Sequence, residues 1–248
     1  YQHTYVSSAG CDSVVTLQLY VVPALHAEIT YIESPCADSQ SFDVHYQCNI
    51  EQVDSSFVLF DAASLQNGWR DTVWCPAVGD TVFTLSLPEN VQPGYYPFTL
   101  QLLSMLHGKV SVAAEVMVRY TASIIQQRWN DVLGILNENY NGGYSFVQYQ
   151  WYKNGEPIEG AISPYYYESD SLDLDAEYTV ELLRAEQSRA IMSCAYIPVA
   201  IPAQAPQSTV TKQIHNGQLY LIVGDMVYDC YGGLIGNTEM IFENIKNI

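Results

Sequence analysis

At 248 residues the chain has room for one large or two to three small domains, and nine basic against 27 acidic side chains give a formal charge of −18. Such an acidic surface repels nucleic acid phosphates and anionic lipid, which excludes both as expected partners, and its plainest role is solubility. Six cysteines without a CxxC pair give no support to zinc or dithiol redox chemistry, and no apolar run reaches the roughly 18 residues needed to cross a bilayer. Twenty tyrosines with few lysines suit pleated, half-wet β-surface. The first residue is Tyr1, the opening residues already read as strand, and no signal peptide is visible, so the expectation is a fragment of a longer chain.

Residues 1–23 read as two strands around Ser7-Ser8-Ala9-Gly10, with Val15, Leu17, Leu19 and Val21 alternating against other neighbours. Two strands alone are marginal in water, so this segment is expected to close a module that lies upstream. Residues 24–120 hold strand candidates near 28–34, 41–49, 56–61, 81–87, 95–104 and 110–119, and a proline-bracketed corner runs from Pro88 to Pro93. Many short strands with turns between them predict a β-sandwich. Cys36, Cys48 and Cys75 fall in this region and allow one bridge with one thiol left over, the pairing among the three being open.

Residues 121–203 form the next expected sandwich. Residues 124–137 fit a helical face through Ile125, Trp129, Val132 and Ile135, and fit strands equally; the strand reading supplies the early strands that a sandwich needs. Val147, Tyr149 and Trp151 then alternate with polar neighbours, which predicts Trp151 in the core with Val147 and Tyr149 on the same face. Asn154-Gly155 supplies two positions tolerant of positive φ, the signature of a tight hairpin. Asp173-Leu174-Asp175-Ala176-Glu177-Tyr178 has the form of a tyrosine corner, in which a Tyr at the start of a late strand hydrogen-bonds to backbone a few residues upstream. Val180 stands where an antibody domain carries its second cysteine, so apolar packing around Trp151 is expected to close the sandwich. Cys194 has no partner within 121–203. After the proline-containing linker 201–208, residues 204–248 read as a small meander with turns at Asn216-Gly217, Gly224-Asp225 and Gly232-Gly233. The linker predicts a separate unit with few contacts to what precedes it, and three short strands, which bury little alone, either dock on 121–203 or are mobile.

Chemistry is sparse. No GxSxG, HExxH, P-loop, GxGxxG or EF-hand loop occurs. His3, His26, His45, His107 and His215 are scattered without a catalytic motif beside any of them, which predicts surface histidines. Glu168/Asp170 and Asp173/Asp175 are carboxylate pairs of the type glycoside hydrolysis uses, but they sit in a turn where acidic residues serve solubility. Asp170, Asp173, Asp175 and Glu177 offer oxygen ligands of the kind calcium takes, at a spacing that matches no defined loop. Tyr165-Tyr166-Tyr167 could stack on sugar, or pack across a sheet as strand aromatics commonly do. The reading therefore assigns no catalytic, cofactor-binding or metal residue and leaves the ligand open.

Several words of the sequence carry a resemblance. Gly10-Cys11-Asp12-Ser13, Pro35-Cys36-Ala37-Asp38, Phe60-Asp61-Ala62-Ala63, and the ordered set Arg128-Trp129-Asn130-Asp131-Val132-Leu133, Asn141-Gly142-Gly143-Tyr144 and Gln150-Trp151-Tyr152-Lys153-Asn154-Gly155 resemble tandem Ig-like secreted and cell-surface proteins of Bacteroidetes. Asn216-Gly217-Gln218-Leu219-Tyr220-Leu221-Ile222 and Tyr228-Asp229-Cys230-Tyr231-Gly232 resemble their C-terminal sorting-type segment. The resemblance implies an all-β fold of tandem immunoglobulin-like β-sandwiches followed by a small C-terminal β-meander: 1–23 closing hairpin, 24–120 and 121–203 sandwiches, 204–248 sorting-type segment. It also implies that Cys11 pairs with an earlier cysteine of its own repeat, one that would precede Tyr1. The function it implies is a non-catalytic secreted or outer-surface protein for adhesion, display or spacing, with a cell-surface protein or glycan as partner. The alternative is a carbohydrate-binding accessory region of a larger secreted enzyme. A coplanar set of exposed aromatic rings would favour sugar binding; rings buried by their neighbours would favour a stalk.

Overall fold

Alternating apolar residues and frequent turn formers fold here into strands joined by short loops. The structure, a computed structural model, describes residues 2–6, 8–10, 12–16, 18–74, 79, 81–202 and 210–238. Expectations for Cys11, Cys75, most of the proline linker and the tail 239–248 lie outside the described residues. The described residues are almost entirely β, with a short helix and a 3-10 turn among them, and the chain divides into two compact units. The first comprises 1–33, 41–86 and 96–116; the second comprises 34–40, 87–95 and 117–248.

In the first unit β1 (Gln2–Val6) and β2 (Asp12–Thr16) make a hairpin whose last pair is Gln2 with Thr16. Strand was expected as far as Val21. Instead Leu19, Tyr20 and Val21 stand exposed outside any strand. Next come β3 (Ala27–Ile32), β4 (Ser41–Cys48), β5 (Ser55–Phe60), β6 (Thr72–Trp74), β7 (Val82–Ser86), β8 (Gly94–Ser104) and β9 (Gly108–Val118). They form two sheets, ordered β3-β4-β7 and β6-β5-β8-β9. Strict alternation buries Phe42, Val44 and Tyr46 from β4, Val58 and Phe60 from β5, and Phe98, Leu100 and Leu102 from β8. Helix α1 (Ala62–Gln66) was not anticipated; Asp61 caps it by accepting the Ser64 N–H at 2.7 Å. The loop after it delivers Trp69, which packs on Phe60, Tyr96 and Phe42 with ring centroids 4.6, 5.1 and 6.1 Å away.

The second unit resolves the ambiguous stretch in favour of strands: a 3-10 turn at Ala122–Ile124, then β10 (Ile125–Trp129) and β11 (Val132–Ile135). It continues with β12 (Phe146–Lys153), β13 (Glu156–Pro157), β14 (Tyr165–Tyr167), β15 (Tyr178–Arg184) and β16 (Ile191–Met192). One sheet runs β10-β11-β14 and another β13-β12-β15-β16. Ile125, Leu133 and Ile135 of the former share a core with Trp151, Tyr178, Val180, Leu182 and Ile191 of the latter. Trp151 is fully buried, opposite Val180 in register, and its Nε1–H donates to the Ser163 carbonyl at 2.9 Å. Val147, expected beside it, is instead 55% exposed. The pairing of β12 with β15 slips between Phe146 and Gln148, and that bulge inserts Val147 as an extra residue and turns it outward. The hairpin turn is as expected, with Asn154 and Gly155 at φ 52° and 81°. So is the tyrosine corner: the Tyr178 hydroxyl accepts the Asp173 N–H at 3.0 Å and donates to Glu168 Oε2 at 2.8 Å.

Two further expectations are corrected. Cys36 is bonded to Cys194, 158 residues away, so Cys194 finds its partner outside 121–203, as expected of a cysteine alone there, and Cys36 does not pair with Cys48 or Cys75. The reason is topological, since residues 34–40 belong to the second unit. The Arg119 N–H donates to the Pro35 carbonyl and the Ala37 N–H to Arg119, while Tyr120 and Cys194 exchange equivalent bonds with Met192 and Tyr120. The 119–120 backbone thus carries Cys36 on one flank and Cys194 on the other, with Cα atoms 6.0 Å apart. Secondly, where three strands were expected, the described C-terminal residues form four: β17 (Val210–His215), β18 (Gln218–Val223), β19 (Met226–Asp229) and β20 (Leu234–Asn237), in one sheet of that order. Of the two arrangements expected they take the docked one, with more contacts to what precedes them than the linker predicts. Leu219 is buried with Val132 and Tyr165, and Lys212 pairs with Asp131.

Burial pushes the phenols of Tyr120, Tyr149, Tyr166, Tyr178 and Tyr196 above their ordinary value of 10.0. The fold therefore holds them protonated while the unfolded chain ionises near pH 10, so their stabilisation is complete below that pH and lost as pH rises through the folded values. In an alkaline titration, tyrosinate absorbance and loss of far-UV signal are expected to rise together above about pH 10. Full phenol ionisation with the fold intact would contradict this.

Candidate functional site

The residues singled out from sequence are mostly occupied with structure. The five histidines lie apart, His3, His45 and His215 on β1, β4 and β17 and His26 and His107 in loops; His107 contacts the Pro23 carbonyl through Nδ1 at 2.8 Å, and His45 packs edge-on against Tyr31. Glu168 and Asp173 converge on Lys153, whose Nζ is 2.9 Å from one and 3.7 Å from the other. The Glu168 hydrogen bond holds the Lys153 ammonium above its ordinary pKa. Asp173 also accepts the Asp175 N–H at 3.1 Å. Among the described residues no three His, Cys, Asp or Glu side chains are placed to hold a metal ion. The tyrosine triplet is no coplanar platform. Tyr165 is buried and its hydroxyl donates to the Gly217 carbonyl at 2.7 Å, Tyr166 packs between Trp151 and Tyr178, and Tyr167 lies near the Lys212 ammonium.

A cleft of about 410 Å³ opens elsewhere in the second unit. Three segments distant in sequence build its walls: Asn90 to Pro93, Tyr120 to Ile124, and Leu136 to Tyr144, with Ala37 at one side. The first is the proline-bracketed corner, turned at Asn90 with φ 57° and closed by a Val91 N–H bond to the Pro88 carbonyl. The last is the Asn-Gly-Gly-Tyr turn. There the Asn141 amide donates to the carbonyls of Leu136 and Tyr144 at 3.0 and 2.9 Å and accepts the Tyr144 N–H at 2.8 Å. Gly142 and Gly143 take φ 94° and 84°, and a Cβ on Gly142 would come within 3.2 Å of the Tyr144 ring.

Arg184 braces the floor. Its side chain is buried, donates through Nε to the Tyr120 hydroxyl at 2.6 Å and through a terminal nitrogen to the Pro93 carbonyl at 2.8 Å. Its guanidinium carbon sits 4.0 Å from the centre of the Tyr144 ring and 5.3 Å from that of Tyr120. The Tyr144 hydroxyl donates to Gln92. Two rings are thus fixed from behind, while Tyr140 at the rim is 74% exposed. Every lining residue is uncharged: tyrosines, side-chain amides, the Thr121 and Ser123 hydroxyls, and aliphatic groups. Such a lining offers flat apolar faces and neutral hydrogen-bonding groups. Sequence reasoning marked both the corner and the Asn-Gly-Gly-Tyr turn as structural words, and no local signal said that they meet.

No protein-family model matches the chain and no curated protein matches it. Among solved structures, one described as a Ca2+-stabilized adhesin that helps an Antarctic bacterium reach out and bind ice is similar over 93% of this chain and 71% of its own, at 9% identity and a TM-score of 0.24.

Proposed function

We propose that the chain is a non-catalytic secreted or outer-surface protein, related to the tandem Ig-like proteins of Bacteroidetes, in which immunoglobulin-like sandwiches act as adhesion, display or spacer modules and the C-terminal sheet is a sorting-type segment. The observation that carries the reading is the Cys36–Cys194 bond, because disulfides persist in oxidising compartments and are rare in a reducing cytosol. The tyrosine triplet adds support, since Tyr165 is buried and the Tyr166 ring packs between Trp151 and Tyr178 instead of forming a platform. The uncharged cleft favours a second reading, a carbohydrate-binding accessory region of a larger secreted enzyme.

The test uses the native host. With thiols blocked before lysis, Cys36 and Cys194 are expected to resist alkylation until reduced, and the protein to be found in the medium or digested by protease added to intact cells. A reduced pair in a protease-protected pool would overturn the reading. Deleting residues 210–248 forms a second arm: unaltered location would remove the sorting role.

A further inference from the structure

We propose that the cleft between the Asn90–Pro93 corner and the Asn141–Tyr144 turn binds a neutral sugar ring of an uncharged glycan, seated against the Tyr140 and Tyr144 side chains. The inference rests on the reading of the chain as a surface recognition module and names what that module recognises. Four observations converge on it. The volume, about 410 Å³, lies in the range of small-ligand sites. Tyrosine rings present the apolar faces on which the C–H side of a pyranose packs, and their hydroxyls serve the polar edge. Asn90, Thr121 and Ser123 add neutral amide and hydroxyl groups matched to sugar hydroxyls, which both donate and accept.

The site is also rigid before any ligand arrives. Arg184 holds the Tyr144 and Tyr120 rings, and the Asn141 amide closes the turn that carries Tyr140. Binding then costs little ordering of these groups. Charge selects within the class of glycans. The lining side chains carry no formal charge, the cation behind them, Arg184, is buried and bonded to Tyr120 and Pro93, and the chain as a whole carries −18, so a uronic, sialylated or sulfated chain meets repulsion with no exposed cation in the lining to offset it. A neutral hexose or a neutral oligosaccharide end meets neither penalty. Tyr140 decides affinity because its ring is the exposed wall of the cleft.

The experiment applies the intact 248-residue chain to an array of neutral and acidic oligosaccharides and follows retained glycans by titration calorimetry. Retention is expected on neutral members alone. Tyr140→Ala should weaken the best of them at least tenfold with the thermal midpoint unchanged, while Tyr167→Ala, on β14 and outside the cleft, leaves affinity as it was. Retention of no glycan or of acidic glycans only, or equal affinity in Tyr140→Ala, overturns the proposal. If the host shows an oxidised, surface-exposed protein that retains no glycan, this inference alone fails; a cytosolic, reduced protein fails the functional reading first.

Discussion

Replacing Trp151 with alanine is expected to lower the stability of the second unit by about 3–5 kcal/mol, the usual cost of deleting a buried aromatic side chain. Trp151 has no exposed surface, lies opposite Val180, and packs near Tyr166, so its ring reaches both sheets that share the core. The indole N–H also satisfies the Ser163 carbonyl, and truncation leaves that acceptor without its donor. A loss of that size is a large part of the roughly 5–15 kcal/mol by which a domain is stable. Urea unfolding followed by circular dichroism measures it. A midpoint equal to the parent's would show that the core does not depend on this residue.

Cys36→Ser is expected to cost a comparable amount. In the chain-entropy account, a bond closing a loop of 158 residues stabilises by about 5 kcal/mol, and native bridges commonly give 2–5. The local bonding limits the loss in the other direction. Residues 35–37 and 192–194 still pair with the 119–120 backbone without the sulfur bridge, so the native arrangement remains available to the variant. Denaturant midpoints of oxidised parent, reduced parent and Cys36→Ser should therefore fall in two groups, with the last two together. Alkylation without reductant should leave Cys36 and Cys194 unmodified. Cys230, whose thiol burial pushes up to about 11, should react slowly in the folded state. Labelling of Cys194 in the unreduced parent, or an unchanged midpoint in Cys36→Ser, would contradict the bond's role.

What was legible in the sequence is local. Alternation at Phe42, Val44 and Tyr46 placed β4, and the pairs Asn154-Gly155 and Asn216-Gly217 placed turns whose positive φ values the structure bears out. Tyr178 was readable because its partner, Asp173, is five residues away. The Asp61 cap is the local signal for α1, an aspartate immediately before the helix formers Ala62 and Ala63. What escaped depends on pairing at long range. The bulge that turns Val147 outward is set by the register of β12 on β15, and phase counting along one strand cannot reveal it. Cys36 met Cys194 because a seven-residue segment groups with a unit whose main body begins 80 residues later. The cleft likewise joins the Pro88–Pro93 corner and the Asn-Gly-Gly-Tyr turn, both marked in the sequence, to the Tyr120–Ile124 segment, which was not, and only tertiary structure brings the three together.

The bond between Cys36 and Cys194 also fixes how the chain carries mechanical load. A pull applied at its two ends passes from residue 36 directly to residue 194 through sulfur, and the intervening chain is bypassed. Most strands of both units lie inside that shunt and feel no tension while it is intact. Only the segments before Cys36 and after Cys194 can be drawn out, and the C-terminal sheet is among them. At roughly 3.3–3.6 Å per residue, the closed loop keeps roughly 520–570 Å of slack out of reach. A module placed between a cell and its surroundings would thereby stay short and keep its cleft folded under forces that strip its terminal strands, until a reductant opens the shunt.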